Sequence, residues 1–112
     1  MVKQGDVIKT NFDPAKGHEQ SGYRPALVIS PALFTHVTNL VLVCPITNTN
    51  RNHPLHIELK GLQTTGFVMT EQIRVVDLRE RQFRVIERVQ KGVFVRISNI
   101  IKASVDLSDD FE

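Results

Sequence analysis

The chain has 112 residues, 41% hydrophobic and 23% charged, with six glycines, five prolines and one cysteine. That balance fits a single globular domain, expected over residues 1–106, and leaves no room for a second. The formal charge is +2, yet residues 1–102 carry 14 bases against 8 acids, a net of +6, because Asp106, Asp109, Asp110 and Glu112 all follow the last base. The body is basic, and residues 107–112 are expected to form an acidic, flexible tail. No apolar run approaches the roughly 20 residues that cross a bilayer, and Met1–Asp6 has no stretch of signal-peptide character, so a cytoplasmic location without a membrane is expected. A single cysteine, Cys44, excludes an internal disulfide and a paired-cysteine zinc site. Its apolar flanks mark it as a small core residue.

In chain order, residues 6–12 are β-prone and stop at the turn signal Asp13-Pro14, giving a first strand. Residues 15–23 are polar and interrupted by Gly17 and Gly22, which predicts a surface loop. Ala26-Leu27-Val28-Ile29 is a continuous apolar run, as in a strand covered on both faces. Ser30-Pro31 has the form of an N-cap with proline at the first helical position, predicting a short helix to about Val37. Leu40 to Ile46 repeats the buried-strand pattern and opens into a polar loop over residues 47–53. Leu55-His56-Ile57-Glu58-Leu59 alternates as a half-exposed strand. Residues 61–66 read as a turn, and residues 66–70, 73–76 and 83–89 as further strands. Gln90-Lys91-Gly92 reads as a break. After it, Phe94, Ile97, Ile101 and Val105 fall three or four apart, predicting an amphipathic terminal helix. Six or seven short strands plus a terminal helix predict a mainly β fold, a small antiparallel barrel or strongly curved sheet.

No phosphate-binding glycine loop, serine-nucleophile motif or metal-ligand spacing is present, so neither a cofactor nor a metal is expected. His36, His53 and His56 read as solvated histidines. Two polar segments adjoining apolar strands stand out, residues 17–25 and Pro45-Ile46-Thr47-Asn48, because strand ends give reactive groups rigid support.

These residues also carry a resemblance. Asn11-Phe12-Asp13-Pro14, Gly17-His18-Glu19-Gln20 and Gly22-Tyr23-Arg24-Pro25-Ala26-Leu27-Val28-Ile29-Ser30, in that order and spacing, resemble the opening of the MazF/PemK toxins. Cys44-Pro45-Ile46-Thr47, residues 66–74 and Asp77-Leu78-Arg79 are similar to later blocks of the family, and the likeness weakens past about Arg81. It implies an SH3-like barrel of the CcdB/PemK type with a C-terminal helix, working as a homodimer. It further implies a toxin of a toxin-antitoxin system, an mRNA interferase that cleaves single-stranded RNA sequence-specifically without a metal. The implied partners are the RNA and a cognate antitoxin, with operator DNA bound only in complex with that antitoxin.

Carried onto this chain, the family's active-site arginine falls on Arg24 and its threonine on Thr47. The chemistry implied is attack of the RNA 2′-hydroxyl on the adjacent phosphorus, leaving a 2′,3′-cyclic phosphate and a 5′-hydroxyl. Arg24 suits charge stabilisation, since a guanidinium is a fork of donors matched to phosphate oxygens and a poor proton shuttle. Thr47 can donate to the developing oxyanion, and Glu19 is the nearest carboxylate in the motif to accept a proton, with His18 the alternative base. Gln20, Asn48, Gln72, Arg74 and Arg79 are candidate substrate contacts, and Tyr23 the candidate base stacker. Against these stand ordinary readings: Arg24 as a surface ion pair, Thr47 as a turn hydroxyl, Glu19-Gln20 as loop-fixing groups, Gln72 and Arg74 as a solvated strand face. A non-enzymatic gyrase poison of the CcdB kind is the alternative function, opposed by the ending Asp109-Asp110-Phe111-Glu112. A catalytically dead binding protein is a third, opposed by the presence of Arg24 and Thr47.

Overall fold

The computed structural model describes residues 1–12 and 23–112. Seven strands, β1 (Asp6–Asn11), β2 (Tyr23–Val28), β3 (Val41–Thr47), β4 (His56–Leu59), β5 (Gly66–Met69), β6 (Arg74–Val76) and β7 (Phe83–Arg88), form one sheet, with helices α1 (Ala32–Thr38) and α2 (Lys91–Ala103). Every pairing is antiparallel, in the order β4-β5-β3-β2-β1-β7, and β6 joins the N-terminal half of β3. One edge of β3 therefore has two partners: Val41–Val43 pairs with β6, and Ile46 and Thr47 pair with β5. Pro45 falls in the gap between them, where a residue with no N–H to give costs the ladder least.

The sheet curls into an open barrel, and a side chain spans its gap. Glu87 of β7 accepts from the backbone N–H groups of Gln63 (3.0 Å) and Thr64 (2.6 Å) in the loop between β4 and β5. Burial opposes ionisation of Glu87, but those bonds outweigh it and hold its carboxyl below the usual range.

The continuous apolar runs bury both faces of the central strands, as their sequence predicts. On one face Val7, Leu27, Cys44, Ile46, Ile57, Leu59 and Val68 pack against Ile97 of α2. On the other, Ile8, Ala26, Val28, Val41, Val43 and Val76 pack with Val2, Phe12 and Leu78.

Two predicted helix boundaries are corrected. Ser30 does not cap α1: it is buried, and its Oγ accepts from the N–H of Leu42 in β3 (2.9 Å), so Pro31 precedes the helix without a side-chain cap. Residues 90–92 do not break the chain. The helix starts at Lys91 with Gly92 in its first turn, because Val93, Phe94, Ile97, Ile100 and Ile101 pack on the core and outweigh the roughly 1 kcal/mol helix cost of one glycine. It stops at Ala103, leaving Val105 exposed, outside the apolar face expected of it. Tyr23 belongs to β2 instead of the loop before it, and the rest of that expected loop lies outside the described residues. The acidic tail carries a single 3₁₀ turn, Asp109–Phe111, where Ser108 Oγ accepts from Asp110 N–H (3.1 Å).

Candidate functional site

Directly opposed residues of antiparallel strands project from the same face. Arg24 lies opposite Thr10, and alternation from the β2–β3 pair Ala26↔Pro45 puts Arg24 and Thr47 on one face, each two residues past the last pair of that ladder. Arg74 lies opposite Val43 on that same face. Thr10, Phe12, Arg24, Thr47 and Arg74 thus share the face whose buried part is the Ile8–Ala26–Val43 cluster. Arg24 and Arg74 are exposed at its rim and Thr47 is half-buried.

Local contacts hold these positions. Thr10 is fully buried and donates from Oγ1 to the carbonyl of Gln82 (2.9 Å), tying β1 to the start of β7. The Arg74 guanidinium sits over the Phe12 ring, 4.8 Å from its centroid. Arg81 donates to the Asn11 carbonyl. Thr47 Oγ1 accepts from Thr49 N–H (3.2 Å), a bond that leaves its own hydroxyl proton to be donated elsewhere. Asn48 Oδ1 accepts from Thr65 Oγ1 (3.0 Å), leaving its NH₂ end as the donor. Gly66, at φ +123°, lies against this strand end: a Cβ there would meet the Thr47 carbonyl oxygen at 2.5 Å, so only glycine lets β5 approach Thr47 this closely.

The other predicted residues fall in three groups. His18, Glu19 and Gln20 lie outside the described residues. Tyr23 is exposed at the start of β2, opposite Asn11, beside the Arg24 row. Gln72 sits in the turn between β5 and β6 and donates to Glu71 Oε2 (3.4 Å). Arg79 is occupied: its Nε and Nη2 form a fork to Asp77 (3.0 and 2.8 Å), whose Oδ1 also accepts the Arg79 backbone N–H. The fork holds the Asp77 carboxyl below its usual range and raises Arg79 further.

Sequence reasoning missed the role of His56. Its side chain is only 5% exposed, against the solvated reading, and its Nε2 bonds Glu71 Oε2 at 2.9 Å. The Thr70 hydroxyl and N–H both donate to the Leu55 carbonyl (2.7 and 3.2 Å), so the start of β4 grips the turn that carries Gln72 and Arg74. Burial resists ionisation of Glu71, but the bonds from His56, its own N–H and Gln72 prevail and lower its value. His53, stacked on His56 at 4.4 Å, completes a His53–His56–Glu71 group with donor atoms within 4.8 Å of one another. As it stands this is a packing arrangement: parallel imidazoles do not aim lone pairs at one ion, and His53 Nδ1 already accepts from Leu55 N–H (3.1 Å). Cys44 is inert, its thiol pushed up to about 12 by burial and the Glu71 charge. Among the described residues no helix is long and apolar enough to cross a membrane.

The fold is an open antiparallel barrel backed by one packed helix, with Arg24 and Thr47 on one face at neighbouring strand ends. The chain belongs to the family of PemK-like, MazF-like toxins of type II toxin-antitoxin systems, whose model matches residues 3–105. It is 36% identical over 77 residues to the endoribonuclease toxin MazF of Escherichia coli K12, covering 69% of each chain. Over 97 residues it is 36% identical to the endoribonuclease PemK of Escherichia coli, covering 82% of this chain and 73% of that one. Its fold superimposes on MazF in a crystal structure of MazE-MazF from Deinococcus radiodurans with a TM-score of 0.84 at 31% identity, covering 96% and 97% of the two chains.

Proposed function

We propose that the protein is a sequence-specific endoribonuclease toxin that cuts single-stranded RNA without a metal, and that Arg24 and Thr47 carry the chemistry. The observation that supports this is the strand alternation that puts Arg24 and Thr47 on one face, each two residues past the last β2–β3 pair. The two, 23 residues apart in sequence, in this reading supply a cation and a hydroxyl donor to one phosphate. In this reading the 2′-oxygen forms a bond to phosphorus as the 5′-oxygen leaves, giving a 2′,3′-cyclic phosphate and a 5′-hydroxyl. Arg24 binds the equatorial oxygens and stabilises the charge that builds there, and Thr47 donates its free hydroxyl proton to the same oxyanion. Glu19 takes the 2′-hydroxyl proton, with His18 the other candidate base, and the departing 5′-oxygen takes its proton from solvent water. Arg74, held over Phe12, Gln72, set by Glu71, and Tyr23 line the approach of the flanking bases.

The working unit is a homodimer. Helix α1 buries no residue, and Leu33 and Val37 are 69% and 70% exposed on it, an unpartnered apolar surface that a second copy covers. A cognate antitoxin is the regulatory partner, with operator DNA bound only through it; the structural relative from Deinococcus radiodurans was crystallised as a MazE-MazF assembly.

The test is cleavage of a long unstructured RNA by chelator-treated protein, with the ends mapped, beside Arg24→Ala. Discrete cuts ending in cyclic phosphate, lost in the variant by about 10²-fold or more, are expected. Absence of discrete cuts, or equal cutting by the variant, refutes the mechanism.

A further inference from the structure

The geometry points to a second phosphate-binding subsite for the same RNA strand, built from Lys9 of β1 and Arg84 of β7 in the cleft beside the Arg24–Thr47 pair. This rests on the endoribonuclease reading and adds residues outside the motifs that carry the family resemblance. Lys9 and Arg84 are directly opposed in the β1–β7 ladder. Two like charges in that arrangement destabilise a sheet. Among the described residues neither side chain has a hydrogen bond or ion pair to offset the repulsion. The other arginines between residues 79 and 88 are occupied: Arg79 by Asp77, Arg81 by the Asn11 carbonyl, Arg88 by the Gln4 carbonyl and Asp6. Lys9 and Arg84 are instead left as an uncompensated pair of cations, the arrangement that an anion bridging them would relieve.

The surroundings suit a phosphodiester. Lys9 and Arg84 line an open cleft of about 470 Å³ together with Pro25, Asn48, Thr64 and Thr65. Pro25 and Asn48 adjoin Arg24 and Thr47 in the chain and so, by strand alternation, project from the opposite face of the sheet; the cleft and the proposed catalytic pair meet at the edge beyond the last β2–β3 pair. A strand bound at the pair reaches the cleft by passing over that edge. Asn48, whose oxygen is taken by Thr65, offers its NH₂ to the same anion. Glu87, the carboxylate three residues along β7 from Arg84, has both oxygens committed to the Gln63 and Thr64 N–H groups, which blunts its competition with a phosphate for the cations.

A neutral or reversed charge at Arg84 removes a like-charge clash and a phosphate contact together, so stability and RNA affinity are expected to move in opposite directions. The test uses the full chain and an RNA oligomer containing the mapped target, with 2′-deoxyribose at the scissile residue to prevent cutting. Affinity is measured by anisotropy from about 50 to 200 mM salt. For Arg84→Glu and Arg84→Gln, binding at low salt weakens about tenfold or more, the log–log salt slope becomes shallower by about 0.7, the value of one single-strand phosphate contact, and Tm is unchanged or raised. Lys9→Glu behaves alike. Unchanged affinity and slope in folded variants overturn the subsite, and so does a fall in Tm for Arg84→Gln, which would reveal a structural partner. If the wild-type chain itself binds no RNA, the endoribonuclease reading fails first and the subsite with it.

Discussion

Replacing Gly66 by alanine tests whether the end of β3 is the seat of the chemistry. The residue begins β5 at φ +123°, a conformation that costs a residue with a side chain of order 1–3 kcal/mol. The added Cβ would also stand 2.5 Å from the Thr47 carbonyl oxygen, 3.0 Å from its carbon and 3.2 Å from Asn48 Oδ1, where ordinary contact begins at 3.4 Å. Two of these three atoms are backbone, so relief requires moving the strand end by about 0.9 Å, at a further cost of about 1–3 kcal/mol. A loss of about 2–6 kcal/mol by urea denaturation is expected, out of the roughly 5–15 kcal/mol typical of a domain. The cleavage rate of the still-folded fraction is expected to fall roughly 10- to 100-fold, because displacing a catalytic group by about 1 Å costs about that much. Gly61→Ala is the control. It has φ +75° but nothing within 4 Å of its added Cβ, so it should lose only about 1–2 kcal/mol and cut RNA at the wild-type rate. If Gly66→Ala cuts as fast as Gly61→Ala at matched folded fraction, Thr47 is not where the reaction occurs.

Two further outcomes follow from the titrating groups. The Glu87 carboxyl is lowered in the folded state, so its contribution is present above the unfolded carboxylate value and disappears as pH falls through the folded one; wild type should exceed Glu87→Gln by about 1 kcal/mol at pH 7 and by steadily less as the pH is lowered below the ordinary carboxylate range, and a gap that does not shrink in acid refutes its role in bridging the open barrel. With its thiol near 12, Cys44 should react with an aromatic disulfide at pH 8 roughly 10³-fold more slowly than an exposed cysteine, and at the ordinary rate once the chain is unfolded; fast labelling of folded protein would show that the core opens.

The strands were legible because burial writes directly into sequence: Ala26 to Ile29 and Leu40 to Ile46 are continuous because both faces of β2 and β3 are covered, and residues 55–59 alternate because one face of β4 is not. Arg24 and Thr47 were legible as residues at strand boundaries, and the family resemblance singled them out, but their sharing one face was not, since that depends on the register of two strands whose residues lie 23 apart in sequence. Ser30 was misread because a capping side chain and a long-range one look alike locally, and the N–H of Leu42 is the partner it takes. His56 was misread because alternation assigns it to the open face of β4, while the turn bearing Glu71 folds over that face and buries it. The start of α2 was hidden for a related reason: Gly92 is a poor helix former, and only the packing of Val93 and Phe94 on a distant sheet shows why the helix begins before it.

The two faces of the central strands divide the labour of the molecule, and side-chain parity draws the line. Leu27, Cys44 and Ile46 point toward α2 and supply cohesion; Ala26, Val28 and Val43 point the other way, into the cluster whose rim carries Arg24, Thr47 and Arg74. Each strand thus anchors the proposed site through alternate residues while its remaining residues hold the helix. The arrangement is rigid because register cannot slip by one residue without sending Leu27 and Arg24 each to the wrong face, at the cost of both the core and the proposed site. Arg24 and Thr47 sit two residues past the last β2–β3 ladder pair, Ala26↔Pro45, where on those two strands the face passes from buried Ala26, Val28 and Val43 to exposed Arg24 and half-buried Thr47.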